Sequence, residues 1–62
     1  MMTFEQAEAL LTPERRSELA RCMLDSQAAM PANLTEAERT FFFGLSIFCE
    51  YESRDEVEAY LL

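Results

Sequence analysis

The sequence predicts an all-α fold: a small four-helix domain built on a central antiparallel helical hairpin and completed by a second copy of itself. Three observations predict it. Helix-start signals recur four times along 62 residues, and no alternating apolar pattern competes with them. One apolar segment, Phe41-Phe42-Phe43-Gly44-Leu45-Ser46-Ile47-Phe48-Cys49, carries large side chains on more sides than one short chain can cover.

The first helix opens at Thr3, with Gln6 three residues on, the reciprocal pairing of a capping box; it is expected over 4–11. Thr12-Pro13-Glu14 writes the second start, a hydroxyl cap followed by proline at the first helical position and an acid. This helix is expected over 13–29. Leu19, Met23 and Met30 share one stripe there, with Ala20, Leu24 and Ala28 beside it, so it has a single apolar face. Met30-Pro31-Ala32-Asn33-Leu34 is the linker, because proline drives the residue before it out of helical geometry. So short a connection favours an antiparallel hairpin with the next helix. Thr35 and Glu38 form another capping box, opening a helix expected over 36–52, and Ser53 with Glu56 opens the last, over 54–61. The first and last helices are about two turns each, too short to persist alone. Phe4, Leu10 and Leu11 at one end, and Val57, Tyr60 and Leu61 at the other, are expected to pack on the hairpin. All of this makes one domain over 1–62.

The third helix carries the functional argument. At about 100° per residue, Phe41, Leu45 and Phe48 share a stripe and are assigned to the intrachain core. Phe42 and Cys49 lie to one side of that stripe; Phe43, Ile47 and Tyr51 point nearly the opposite way. A chain this short buries only about 60% of the surface its unfolded form exposes. Disulfides, a metal or oligomerisation usually make up the difference. With two cysteines and no histidine, oligomerisation is the expected remedy. Phe43, Ile47, Tyr51 and Phe42 are therefore the candidate interface, toward a copy or a hetero-partner.

Twelve acids against five bases, all arginine, give a formal charge of −7. Such a chain is repelled by nucleic-acid phosphates and anionic membranes, so neither is an expected direct partner. A protein with a basic surface is. Asp55, Glu56 and Glu58, extended by Glu5 and Glu8, form the candidate acidic face for it. The plainer reading is that acids keep a Phe-rich protein soluble and that Asp55 and Glu56 complement a helix dipole. Arg15 and Arg16 open the second helix while Glu50 and Glu52 close the third, each set against its dipole. An antiparallel hairpin centred near residue 32 would pair them. Gly44, with Ala37 and Ser46, offers room for another helix to approach closely or is a tolerated small residue.

Reactive chemistry is not expected. There is no histidine, one glycine and no Gly-rich phosphate loop, and the carboxylates fall on solvated faces rather than across a cleft. No catalytic residue, metal ligand or cofactor is assigned. In the hairpin register Cys22 and Cys49 lie about 9 Å apart along the axis, so they are expected as free thiols. No leader-like segment is read, and the Phe-rich run is about half the ~20 residues that span a bilayer. A cytoplasmic protein is expected.

Leu34-Thr35-Glu36-Ala37-Glu38-Arg39-Thr40-Phe41-Phe42 resembles the Leu-Ser-x-x-Glu stretch, followed by aromatics, of the Hha/YmoA nucleoid-modulator family. That resemblance covers this stretch alone and implies a small helical protein acting on a DNA-binding partner. The functional expectation is a small acidic regulator that binds and modulates or inhibits another protein, in the manner of bacterial or phage anti-activators. Its partners would be itself and a basic-faced protein such as a transcription regulator. The alternatives are a secretion-type co-chaperone using the Phe-rich helix and a DNA mimic.

Overall fold

The computed structural model of the chain describes residues 1–25 and 27–62. Its described residues form four helices and no strand: α1 (Phe4–Leu10), α2 (Pro13–Leu24), α3 (Glu36–Tyr51) and α4 (Arg54–Glu58). The starts are where the hydroxyl residues put them. Thr3 and Gln6 bond reciprocally at 2.9 and 3.1 Å, as do Thr35 and Glu38 at 2.9 and 3.2 Å. Thr12 Oγ1 accepts from the Arg15 amide at 3.1 Å. Ser53 caps α4 differently from expectation: its hydroxyl accepts from the Asp55 amide at 3.1 Å, and no reciprocal bond from Glu56 forms.

The helix ends differ more. The second helix stops at Leu24 rather than 29. Asp25 turns the chain instead, its carboxylate accepting from the Gln27 amide at 2.9 Å, a local bond that competes with helix. Arg54 then donates to the Leu24 carbonyl at 3.2 Å, satisfying an acceptor that helix continuation would have used. Met30 and Ala28, placed on the helix stripe by the sequence, are exposed in the connection. Asn33, just before α3, sits at φ 58°, a left-handed turn position that asparagine tolerates.

The antiparallel hairpin is not formed. Arg15 in the first turn of α2 bonds Glu38 in the first turn of α3, Nε to Oε2 at 2.6 Å. At the other end of α2, Leu24 meets Arg54, which follows α3. The two helices thus place like ends together, and residues 27–35 lead back to the start of α3. The expected pairing of Arg15 and Arg16 with Glu50 and Glu52 is replaced accordingly. Arg16 instead donates to the Glu8 and Leu11 carbonyls at 2.8 and 2.6 Å, closing the C-terminal end of α1.

α3 is the central element, packed against α1, α2 and α4, with α2 also touching α4. The core is Ala7, Leu19, Ala20, Leu34, Phe41, Phe42, Leu45 and Val57, one residue or more from every helix. Phe4 lies over α3, stacked on Phe41 at 5.2 Å between ring centroids and edge-on to Phe48 at 5.4 Å. Gly44 makes this possible. A Cβ there would overlap the Phe4 ring at Cδ1 and Cε1, with Cγ only 3.2 Å away. The close approach that the glycine permits is therefore intrachain, by α1. The radius of gyration, 10.6 Å, is that expected of a fully packed chain of this length.

Candidate interaction surface

α3 presents two faces. The inward one holds Phe41 and Leu45, both fully buried. On the outward one Phe43 and Ile47 are each 53% exposed and Tyr51 is 78% exposed. Their spacing of four places them along one ridge of the helix. Helical geometry dictates this split, since α1, α2 and α4 occupy the remaining sides and none of them crosses the ridge. Phe42 does not belong to it. At 8% exposure it is part of the core, on the flank where Glu38, one turn earlier, meets Arg15 of α2. The candidate interface is thus corrected to Phe43, Ile47 and Tyr51, with exposed Arg39 continuing the ridge toward the helix start.

The candidate acidic face begins just past the Tyr51 end of the ridge. Asp55, Glu56 and Glu58 are all exposed on α4. Past α4 the chain turns, and Tyr60 places its ring edge-on to Phe41 at 5.1 Å while its hydroxyl donates to the Glu8 carboxylate. Burial raises the Tyr60 pKa well above the ordinary phenol value, and the hydrogen bond and negative charge of Glu8 add to it, with Glu56 contributing less. Glu8 of α1 and Glu56 of α4 therefore share one neighbourhood. Leu62 donates its amide to Ser17 Oγ at 3.1 Å, tying the end of the chain to α2 and satisfying a buried hydroxyl.

A third surface was not foreseen. Leu10, expected to pack inward, is 66% exposed, and with Met2, Gln6, Ala9 and Glu36 it lines an open hollow of about 560 Å³. Inward packing of Phe4 and Ala7 fixes which face of α1 looks out, and Leu10 lies on the far side of it. The sequence held that signal, but three apolar residues on a two-turn helix did not say which pair would face the core.

Cys22 and Cys49 are free and half-buried, and Cys22 Sγ donates to the Ala29 carbonyl at 3.3 Å. Among the described residues, no three His, Cys, Asp or Glu side chains converge as a metal site would require. No helix among them is long and apolar enough to cross a membrane. No family model, curated protein or solved structure matches the chain.

Proposed function

We propose that this chain is a small acidic regulatory protein: it pairs with a second copy through α3 and binds another protein, modulating or inhibiting it, through an acidic face. The observation that carries the reading is the Phe43–Ile47–Tyr51 ridge. A completed core leaves these three large apolar side chains in line on the most central helix. Aromatic and aliphatic groups so arranged are the usual anchors of protein interfaces. The acids of α4 play a different part. Asp55, Glu56 and Glu58, with Glu8 beside them, create a negative potential that steers a basic partner, such as the nucleic-acid-binding face of a transcription regulator.

Immobilised protein and a Phe43→Asp variant, each exposed to an extract of the source cells, test the regulator reading together with Glu56→Gln/Glu58→Gln. A basic protein retained by the unmodified chain and released at moderate salt supports it, provided the glutamine variant retains less. Equal retention by the glutamine variant would assign the acids to solubility and remove the basis for a basic-faced partner.

A further inference from the structure

Resting on the reading that α3 pairs with a copy of itself, we infer that the pair is antiparallel, with its two-fold axis at the level of residue 45 and Arg39 of each chain set against Glu50 of the other. The ridge Arg39–Phe43–Ile47–Tyr51 is exposed along its whole length. Reversed about its midpoint it complements itself: Phe43 falls opposite Ile47, and Arg39 comes level with Glu50 and Tyr51. An isologous interface requires this reciprocity, residue i on j and j on i.

Charge selects the direction. Arg39 and exposed Glu50 lie on the same flank of the ridge; Arg39 Nη1 donates to the Leu34 carbonyl at 2.8 Å, which leaves its other N–H donors for a partner, and neither residue forms a salt bridge among the described residues. In an antiparallel pair a two-fold axis perpendicular to the helices keeps each flank facing its own counterpart. Arg39 then reaches Glu50 of the second copy, twice per dimer. A parallel pair would set Arg39 and Glu50 against the opposite flank, toward Thr40 and Tyr51, with no charge to meet. The self-complementary charge pattern is what favours a second copy over a foreign chain as the occupant of this ridge.

Charge exchange tests the arrangement. Arg39→Glu, Glu50→Arg and the combined R39E/E50R variant are compared with the unmodified chain by sedimentation velocity over a concentration series. Circular dichroism confirms helicity. Both single changes put charges of the favourable sign at the ends of α3, acid near its start and base near its end; R39E and R39E/E50R lose the same bond to the Leu34 carbonyl, so recovery in the combined variant reports the pairing alone. The expected result is a dimer for the unmodified chain and dimerisation weakened roughly tenfold or more in each single variant. The combined variant should recover to within about threefold of the original. Failure of the combined variant to recover, with the unmodified chain dimeric, would overturn the antiparallel register while leaving the dimer intact. An unmodified chain that stays monomeric would overturn both, and would give the ridge to a hetero-partner.

Discussion

Phe41 and Phe43 stand two positions apart on α3 and meet opposite fates. Phe41 is fully buried, stacked on Phe4 and met edge-on by Tyr60, while Phe43 keeps about half its surface in water. The residue type is the same, and so is the local backbone. What differs is cover: α1 and the turn after α4 close over one side of α3, and no described element closes over the other. Apolar content therefore divides into two uses, one that makes the domain and one that the domain presents.

The largest expected effect separates those uses directly. Phe41→Ala should cost about 3–5 kcal/mol, enough to unfold a chain of this size. Phe43→Ala should change the stability of the isolated protomer by no more than about 0.5 kcal/mol. Denaturant titration at low protein concentration measures both. A similar loss at the two sites would mean that Phe43 contributes to the protomer core.

Next comes the contact that brings α1 onto α3. Gly44→Ala gains about 1 kcal/mol of helix propensity. Yet its methyl would displace a Phe4 ring held between Phe41 and Phe48, an overpacking cost of about 1–3 kcal/mol. Net destabilisation is expected, and Gly44→Ala combined with Phe4→Leu should recover part of it. A stabilised single variant would show that α1 is free to move off the helix.

Two smaller changes probe the polar ties around the core. Tyr60→Phe keeps the ring on Phe41 but removes the hydroxyl bond to Glu8, for a loss of about 1 kcal/mol in thermal or denaturant unfolding. Glu38 is held below the usual carboxylate range, first by the amide of Thr35 and then by Arg15. A carboxylate with a depressed folded pKa contributes fully above its unfolded value, near about 4.3, and loses that contribution as pH falls through the folded value. Glu38→Gln, which can still close the capping box, should thus be less stable than the parent at neutral pH. The gap should narrow below about pH 4. A gap that persists unchanged in acid would assign the loss to packing rather than charge.

Helix starts were legible because they are written locally. Thr3, Thr12, Thr35 and Ser53 each bond an amide two or three residues away, and nothing distant overrides them. Helix ends and helix directions were not, because distant groups decide them. Leu24 ends α2 with Asp25 turning the chain and Arg54, thirty positions on, taking its carbonyl. The direction of α2 against α3 follows from a connection that begins at Asp25 rather than at Met30. Once that hinge moved, the antiparallel register and the Arg15–Glu50 pairing drawn from it went together. The shared outward face of Phe43, Ile47 and Tyr51 depends on helical spacing alone, whatever packs on the other side. The burial of Phe42 does not, because only the placement of α2 tells which flank is covered.

The claim that one face of α3 builds the protomer and the other joins it to a copy is tested most directly by thermal unfolding across protein concentration. Dimerisation ties the midpoint to concentration. The midpoint of the unmodified chain should rise steadily between about 1 and 200 µM, while that of Phe43→Asp should be lower and flat over the same range. A midpoint independent of concentration in the unmodified chain, matched by the Phe43→Asp variant, would contradict the account.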